Sequence, residues 1–448
     1  MARTSERPRE VTHRDNRTEF IAGVTTFFTM SYIVIVNPTI LSTPGTGMPF
    51  TGVLTATVLV CATMTLLMGL YARLPYGVAP GMGLNAFFAY TVVLQQQVAW
   101  PVALGIVFWA GVLFLIVSAT PLRESIAMAI PHSLRVATAA GIGLLLTFIG
   151  LKNAGFVVAN PATLVGVGPL DHRSALCLLA LGIIVWLRRR SWFGLRNRAS
   201  GEVTENPLAF LASILVVTVI AWIGGWVSPP SSWLSAPDFS SVFLKLDVVG
   251  ALHLALVPTI ITVMMTDLFD SLSTFIGVAQ ASNLLDADGR PLHLRRGLIV
   301  DSMATASAGL FGSSPGTAYV ESVAGIRMGG RTGLTAIVTA MCFLPCLFVA
   351  PLVAAIPPYA TSAVLIMVGV AMFQTVRGVD FDRWEIGVPA FAALILIPLT
   401  FSITQGMLWG FILHAVLFVA AGRARELTHG ALALAAVSAV LLALEHLH

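Results

Sequence analysis

Charged side chains are scarce in this chain of 448 residues. They make up 10% of it, whereas 57% of the residues are hydrophobic and the mean hydropathy is +0.88. Soluble globular domains carry about 25% charged residues, so this shortage excludes a soluble domain and indicates a polytopic membrane protein. The net charge of +4 comes mainly from arginines at the chain ends and in a few loops. That pattern is typical of a membrane topology signal, and it does not predict nucleic-acid binding.

Cysteine is rare as well. The four cysteines, Cys61, Cys177, Cys342 and Cys346, all lie in apolar runs. Cys342 and Cys346 are close in sequence, but a zinc site would need a second ligand pair or a histidine beside them. We therefore interpret the cysteines as small buried hydrophobic residues, and we expect neither a metal site nor a cofactor.

Long apolar runs, by contrast, fill the chain. A spanning helix needs about 20 apolar residues, and the chain contains fourteen candidate segments, which predicts an all-α polytopic membrane protein. The first seven cover residues 20–40, 52–71, 78–97, 101–119, 133–152, 174–190 and 207–228. The other seven cover residues 251–278, 296–312, 314–328, 332–352, 360–376, 385–401 and 402–421. A further stretch, 429–445, is compatible with a span or with an interfacial helix.

Clusters of arginine predict the orientation of these segments. The clusters precede the first segment and follow the sixth, eighth and fourteenth, so they share one side of the membrane, which should be cytoplasmic. They comprise Arg3, Arg7, Arg9, Arg14, Arg17, Arg188, Arg189, Arg190, Arg196, Arg198, Arg290, Arg295, Arg296, Arg423 and Arg425. Because each set of spans is odd in number, the second set is inserted upside down relative to the first, as in inverted-repeat transporters.

This topology divides the chain into five parts. The first 18 residues are polar and rich in arginine, and the apolar run after them is long enough to span the membrane and remain there. We predict a cytoplasmic tail at 1–18, a first seven-span repeat at 19–228, an extracytoplasmic connector at 229–250, a second repeat at 251–424 and an apolar tail at 425–448. We expect a multi-pass protein of the cell (inner) membrane with a cytoplasmic N-terminus.

The third and tenth segments are interrupted by proline and glycine. LPYGVAPGMGLNAFF at 74–88 and GSSPGTAYVESVAG at 312–325 each contain a Pro–Gly break followed by a short run that can be helical. Interrupted segments at corresponding positions in two halves of a transporter point to a substrate site at the membrane midplane. Unwound backbone persists at that depth only by lining a cavity or by pairing with protein. Close packing of ordinary kinked helices is the alternative explanation.

Four acidic residues of the second half cannot be placed in loops between the predicted spans. They are Asp267, Asp270, Asp301 and Glu321. An ionisable group inside a bilayer is costly, and in transporters such groups line substrate or proton pathways. Asp267 and Asp270 are three residues apart, so a helix would bring both to roughly one face. All four are candidates for proton coupling, although a carboxylate at such a position can instead brace a neighbouring segment.

Uncharged polar and aromatic residues near these acids indicate the chemistry of the ligand. Hydroxyl and amide groups supply hydrogen bonds without charge, and phenylalanines supply flat apolar surface. No lysine or arginine is expected at the midplane to hold a phosphate or a carboxylate, which argues against nucleotides, sulfate and organic acids. We therefore expect a flat neutral heterocycle held by hydrogen bonds and stacking. The candidate binding residues are Thr26, Asn85, Phe87, Asp270, Ser314, Thr317 and Glu321.

Five long motifs, which occur in order between about residue 17 and about residue 422, resemble those of a known family. They are EFIAGVTTFFTMSYIVIVNP (19–38), APGMGLNAFFAYTVV (79–93), GIGLLLTFIGLKNAGFVVANPATLVGVG (141–168), TDLFDSLSTFIGVA (266–279) and YVESVAGIRMGGRTGLTAIV (319–338). With these motifs the chain resembles the AzgA-like purine permeases of the nucleobase–cation symporter 2 (nucleobase–ascorbate transporter) superfamily.

The resemblance implies about 14 helices in two inverted repeats of seven, divided into a core and a gate domain. It implies a short strand leading into a short helix in segments 3 and 10, with backbone donors there free to bind a base. It further implies proton-coupled import of adenine, guanine or hypoxanthine, with the core sliding like an elevator against the gate. Many members of the superfamily are homodimers, so a second copy of this chain is a candidate partner beside the base, the proton and the lipid bilayer.

The resemblance also implies roles for individual residues. Asp270 of FDSLST matches the acidic ligand residue of segment 8, Glu321 of YVES matches the acid of segment 10, and Asn85 matches the asparagine of GMGLNA. Asp267 matches a second aspartate of the family. Asp301 resembles an aspartate of segment 9 that faces the core and is structural or linked to the proton.

Some alternatives remain open. Pro315 and Gly316 replace a Thr/Ser–Val/Thr run of the purine permeases and are closer to the uracil and xanthine branch. A uracil or xanthine carrier is therefore the nearest alternative, followed by an anion transporter of the sulfate type. An intramembrane aspartyl protease would need a Gly-x-Gly-Asp segment, and GMGLN at 81–85 contains no aspartate. We expect a transporter and not an enzyme.

Overall fold

Helices dominate the first half of the chain. The computed structural model of the protein describes residues 16–120, 131–189, 206–282, 284–285 and 291–445. The helices of the first half are α1 (Asn16–Met30), α2 (Ile33–Leu41), α3 (Phe50–Leu67), α4 (Met82–Ala86), α5 (Trp100–Ala119), α6 (His132–Asn153), α7 (His172–Arg188) and α8 (Ala209–Ile223), and its strands are β1 (Val78–Pro80), β2 (Val157–Asn160) and β3 (Leu164–Val167). Single π-helical segments extend α3 through Met68–Ala72 and α4 through Phe87–Gln95.

The second half is built in the same way. It contains α9 (Val257–Ser282), α10 (Leu294–Phe311), strand β4 (Gly316–Ala318), α11 (Ser322–Arg327), α12 (Gly333–Phe343), α13 (Ala350–Ala354), α14 (Pro358–Phe373), α15 (Trp384–Thr400), α16 (Ile403–Ala420) and α17 (His429–Glu445). Each predicted apolar segment coincides with a helix or with a strand that leads into a helix. Within the described ranges, seven helices are long and apolar enough to cross a membrane, and five more are apolar but shorter. The chain is a multi-pass membrane protein, and the number of fourteen crossings remains a prediction.

Parts of the predicted topology lie outside the described residues. These parts are residues 1–15 of the N-terminal tail and, among the orienting arginines, Arg3, Arg7, Arg9, Arg14, Arg190, Arg196, Arg198 and Arg290. The apolar stretch at 429–445 is a helix, α17, which packs against α16.

The third and tenth segments begin as strands, as expected. β1 and β4 pair in antiparallel fashion, with Val78 opposite Ala318 and Pro80 opposite Gly316. All three residues of each strand are buried. Proline cannot donate a backbone hydrogen bond within a helix, and backbone groups buried in a membrane must be paired inside the protein. Pairing between the two halves meets that requirement at the point where the helices are interrupted.

The helices pack in two groups. The core bundle consists of α1–α5, α9–α13, β1 and β4, and within it α5 packs on α10 and α1 packs on α12. The second bundle consists of α6–α8 and α14–α17, and within it α6 packs against α14 and α15. The bundles meet where α4 contacts α6 and where α9 contacts α16. This division agrees with the core and gate domains that the family resemblance implies.

The connector between the two halves packs on the core bundle. The backbone N–H of Asp247 donates to the carbonyl of Pro101 at 2.8 Å. The carboxylate of Asp238 accepts hydrogen bonds from the hydroxyls of Ser241, at 2.7 Å, and Thr51, at 3.0 Å. These bonds lower the pKa of Asp238 to about 2. The connector is thereby held against the ends of α3 and α5.

A hairpin that the sequence analysis did not predict joins α6 to α7. In it, β2 pairs with β3 in antiparallel fashion, with Val157 opposite Val167. The side-chain oxygen of Asn160 accepts from the backbone N–H groups of Ala162, at 2.8 Å, and Thr163, at 3.2 Å. A turn held by its own asparagine explains how this short hairpin forms.

Glycine lets α5 and α10 approach each other closely. A Cβ atom added at Gly111 of α5 would lie 2.2 Å from the backbone nitrogen of Ala306, and one added at Gly309 of α10 would lie 2.7 Å from the carbonyl oxygen of Leu104. Small residues at such contacts are typical of membrane helices, where close backbone approach supplies the packing energy. The contact joins the first half of the core bundle to the second.

We expect Gly111→Ala to lower the free energy of unfolding by about 1–3 kcal/mol, because the new methyl group must displace backbone that cannot move freely. The matched control is Gly182→Ala in α7, where an added Cβ has no neighbour within 4 Å and the better helix propensity of alanine should be neutral or stabilising. The measurement is the thermal unfolding midpoint of each purified variant in detergent. Equal midpoints for the two variants would contradict the close α5–α10 contact.

Candidate functional site

The paired strands are anchored by side chains from both halves. The hydroxyl of Thr65 accepts from the N–H of Val78 at 2.8 Å and contacts its carbonyl at 3.0 Å. The hydroxyl of Ser322 accepts from the N–H of Gly77 at 3.0 Å, and the hydroxyl of Tyr319 donates to the carbonyl of Pro80 at 2.6 Å. We expected the Pro–Gly breaks to free backbone donors for a ligand. At these positions the donors are instead bound within the protein, which is how interrupted backbone is stabilised at membrane depth.

Asp301 and Asp267 brace this sheet from behind. The carboxylate of Asp301, on α10, accepts from the backbone N–H of Ala318 in β4 at 2.6 Å and from the hydroxyl of Ser271 on α9. The carboxylate of Asp267, on α9, accepts from the hydroxyl of Thr305 on α10. Both aspartates are fully buried. Their contacts fit the bracing role that the sequence analysis considered for them.

Asp267 and Asp270 are neighbours on α9, but their side chains have different surroundings. Three positions along a helix still turn the side chain by about 60°. Asp267 therefore points to α10, whereas Asp270 lines a cavity on the side of the second bundle. A separation of about 60° is compatible with the expected shared face of α9, and the two side chains nevertheless have different neighbours. The side-chain oxygen of Asp267 that is not bound to Thr305 has no hydrogen-bond partner among the described residues.

The cavity lies between the two bundles. Ligand sites for small molecules are mostly apolar with a few polar groups. Its walls fit that description, with one acid, one cation and three hydroxyl groups among apolar side chains. They are formed by Leu134, Arg135, Thr138, Ala139 and Ile142 of α6, Thr266, Phe269, Asp270 and Ser273 of α9, and Met372, Ala393, Met407 and Phe411 of α14–α16.

Glu321 lies beside this cavity but not in its lining. It directly precedes α11, and its carboxylate accepts from the hydroxyl of Tyr32 at 2.6 Å. Tyr32 sits at the junction of α1 and α2, and its ring meets that of Phe210 on α8 edge-on, with centroids 5.3 Å apart. Glu321 and Asp270 lie within electrostatic range of each other. The two acids assigned to the ligand are thus neighbours, and Asp270 is the one that lines the cavity.

The remaining candidate residues are buried in the core bundle. Asn85 of α4 and Thr26 of α1 are fully buried, and the side-chain oxygen of each lacks a hydrogen-bond partner among the described residues. Phe87 is 1% exposed, and the aromatic ring of α9 that lines the cavity is that of Phe269. Of the candidates, only Asp270 lines the cavity.

Two candidate hydroxyls are engaged in the protein. Ser314 donates to the side-chain oxygen of Asn37 at 3.0 Å, and Asn37 in turn donates to Thr57 at 2.8 Å. The hydroxyls of Thr317 and Ser271 are 3.2 Å apart. These bonds tie the approach to β4 to the first half of the core bundle. Among the described residues no group of three or more His, Cys, Asp or Glu side chains could hold a metal ion.

Arg135 was not among the residues predicted from the sequence. The prediction was that no cation lies at the membrane midplane; Arg135 lies near the start of α6 and lines the same cavity as Asp270. Its position inside the predicted span 133–152, where a charge is unusual, could have identified it as a candidate site residue. A charge near the end of a span is also typical of an orienting charge, and only the place of Arg135 in the cavity lining separates the two interpretations.

The bundles are in direct contact at the other end of α6. The ring of Phe401, between α15 and α16, lies 6.1 Å from that of Tyr90 in the core bundle and 5.4 Å from that of Phe148 in its own bundle. The hydroxyl of Thr91 donates to the carbonyl of Phe401. Phe148 follows Arg135 by 13 residues, which is about 20 Å along a helix. The cavity therefore lies near the start of α6, and the bundles touch near its end.

Interrupted segments that pair inside a multi-pass bundle, beside a cavity between two groups of helices, define a membrane transporter. The chain belongs to the Permease family (Xan_ur_permease), which matches residues 17–409.

Characterised relatives agree with this assignment. The chain is 40% identical over 412 residues to Adenine permease AdeP of Escherichia coli (strain K12), which covers 92% of this chain and 89% of that protein. It is 37% identical over 417 residues to Guanine/hypoxanthine permease PbuO of Bacillus subtilis (strain 168), with 91% and 93% covered. The resemblance to purine permeases is confirmed. Both relatives are permeases, in agreement with the expectation of a transporter and not an enzyme.

A solved structure shares the fold. The transmembrane domain of a cyanobacterium bicarbonate transporter, BicA, matches with a TM-score of 0.63 at 19% identity, and the match covers 89% of this chain and 98% of that domain. At this identity the likeness concerns the fold and carries no information on the substrate. The predicted fold class is confirmed.

We expect Asp301→Ala to destabilise the protein by about 1–3 kcal/mol or more, because the N–H of Ala318 would be left buried without an acceptor. Asp301→Asn keeps an acceptor oxygen and should cost less. The matched control is Asp382→Ala, which removes an exposed carboxylate. Thermal unfolding of the purified variants measures the difference. A midpoint for Asp301→Ala equal to that of the control would contradict the bracing role.

Proposed function

We propose that the protein is a secondary active transporter that imports purine nucleobases, adenine, guanine or hypoxanthine, by proton symport. The observation that carries the proposal is the carboxylate of Asp270 in a mostly apolar cavity between the bundles. The names of the two relatives, an adenine permease and a guanine/hypoxanthine permease, support purines as the substrate class. A base of this class combines a flat apolar ring with hydrogen-bonding groups on its edge, which suits such a cavity.

In this proposal the base lies in the cavity with its edge toward α9. The carboxylate of Asp270 accepts a hydrogen bond from a ring N–H of the base. Phe269 and Phe411 supply aromatic faces against which a planar ring can stack. The hydroxyl of Ser273, one turn from Asp270, can donate to or accept from the remaining edge atoms.

Proton coupling follows from the acids near the cavity. Ionisable residues inside membrane transporters form proton relays. We assign the exchange of the proton to Asp270 and Glu321, which lie within electrostatic range of each other. In our proposal Asp267 and Asp301 stabilise the β1–β4 sheet. Both also interact electrostatically with Asp270, so a change in the charge of Asp270 affects them. While the base is bound the pair carries one proton, on Glu321, so that Asp270 stays ionised as the acceptor of the base. Release of that proton on the other side couples the two movements.

Alternating access requires the core bundle to move along the second bundle, as in an elevator. The cavity beside Asp270 is the substrate compartment, and the contact of Phe401 with Tyr90 and Thr91 is a closure that separates when the compartment turns to the other side. We further propose an inner-membrane location with the N-terminus in the cytoplasm, on the ground of the arginine clusters. A homodimer remains a prediction.

We expect cells that lack their own purine permeases to take up radiolabelled hypoxanthine when they express this protein. Uptake should saturate, increase as the external pH falls, because the proton is a cosubstrate, and stop when a protonophore is added. Excess adenine, guanine, xanthine, uracil and sulfate serve as competitors. Inhibition by uracil or xanthine alone would favour the uracil and xanthine branch, and a sodium requirement without pH dependence would replace the coupling ion.

We expect Asp270→Asn to reduce uptake by about tenfold or more, because loss of a charged acceptor in a buried site costs about 1.5–3 kcal/mol. Glu321→Gln should abolish substrate binding as well as transport. Asp382→Asn, a change at an exposed carboxylate, should leave uptake unchanged. Surface expression is measured in parallel, so that loss of protein is separated from loss of activity. Normal uptake by Asp270→Asn would remove this residue from the site.

A further inference from the structure

The cavity has one charge on each side of the boundary between the bundles. Asp270 belongs to α9 of the core bundle, and Arg135 belongs to α6 of the second bundle. They are the two charged residues in the described lining. A carboxylate offers acceptors only, and a guanidinium offers five donors in a rigid fork and no acceptor. A ligand that fills the cavity therefore meets acceptors on one wall and donors on the other.

Arg135 is available for a ligand within the part of the chain that the structure describes. Its Nε atom is buried and has no hydrogen-bond partner there. The side chain is half-buried, and its neighbours on α6, Leu134 and Thr138, also line the cavity. A buried donor without a partner is costly, and a ligand with acceptor atoms on its edge would satisfy it.

The donor fork distinguishes between classes of purine. On one edge, guanine presents two acceptors, O6 and N7, which arginine binds in bidentate fashion, whereas adenine presents the N7 acceptor beside the N6 amino donor. The same O6 and N7 pair occurs in hypoxanthine. If the guanidinium faced the same edge of adenine, one of its N–H donors would point at the N6 amino group, which is also a donor. On the other wall, Asp270 can accept from a ring N–H of the same base.

From this arrangement we infer that Arg135 is a specificity-determining residue that selects 6-oxopurines, guanine and hypoxanthine, over adenine. The inference rests on the proposed function, since it requires a purine base in the cavity. The overall identities of 40% and 37% to an adenine permease and a guanine/hypoxanthine permease do not separate the two classes. The hydrogen-bond donors of the Arg135 side chain do distinguish the 6-oxopurines from adenine.

The test compares substrates in the full-length protein and in Arg135→Gln. Uptake of radiolabelled hypoxanthine is competed with unlabelled hypoxanthine, guanine and adenine, and the ratio of half-inhibitory concentrations is recorded. The wild type should prefer both 6-oxopurines over adenine by about tenfold or more, the discrimination that one bidentate contact supplies. Glutamine presents the donor and acceptor pair that matches the adenine edge. Arg135→Gln should therefore lose or reverse the preference.

Two further variants control the comparison. Arg377→Gln makes the same change at an exposed position outside the cavity, beside the start of α6, and should keep the wild-type ratio. Arg135→Lys keeps the charge but replaces the fork with a single point donor, so it should lose part of the preference. If Arg135→Gln is expressed but does not transport, equilibrium binding of labelled hypoxanthine and adenine to the purified variant supplies the same ratio.

The outcomes separate this inference from the proposed function. A wild type that prefers adenine, or an Arg135→Gln variant whose ratio is unchanged, would overturn the role of Arg135 and leave a purine carrier intact. A wild type that binds no purine would overturn the proposed function and this role together. A change of ratio in Arg377→Gln as large as that in Arg135→Gln would show that the effect is not specific to the cavity.

Discussion

The pairing of β1 with β4 holds the two halves of the core bundle together. A membrane interior supplies no water to backbone groups, so an interrupted helix must find partners within the protein. Here each interruption supplies the partner of the other, with Val78 opposite Ala318 and Tyr319 bonded to the carbonyl of Pro80. Because one strand comes from each half, neither half can complete its interrupted segment alone. The core bundle is built around this join.

The pairing also determines what the buried acids do. Asp301 accepts from the backbone of β4, and Asp267 reaches the hydroxyl of Thr305 next to the same strand. These two carboxylates stabilise the sheet, and hydrogen bonds to both oxygens of Asp301 and to one oxygen of Asp267 offset the cost of burying them. Asp270 lies one turn from Asp267 on α9 and lines the cavity instead. One helix thus carries a structural acid and an acid available for a ligand.

The boundary between the bundles gives the cavity its chemical character. The core bundle contributes an acceptor through Asp270, and the second bundle contributes a donor through Arg135. A movement of one bundle along the other changes the relation between these two groups. The aromatic contact of Phe401 with Tyr90 closes the same boundary. It lies beside Phe148, about 20 Å from Arg135 along α6. Binding groups and closure therefore lie on the surface along which the bundles are expected to move.

The sequence by itself determined the membrane class, the positions of the apolar segments, the two interruptions and the presence of acids within spans. These are local properties, because hydropathy and the backbone limits of proline and glycine act within a few residues of the chain. The family motifs added the fold class and the purine permease relatives.

Only the tertiary structure decided which acid braces a strand and which lines the cavity. It also decided that the donors at Gly77 and Ala318 are used internally, that Ser314 bonds to Asn37, and that Arg135 faces the site. The partner of a side chain depends on which helices pack together. The residues concerned are often more than 100 positions apart in the chain, as Arg135 and Asp270 are. Contacts of that kind are set by the packing of the whole bundle, and no local pattern encodes them.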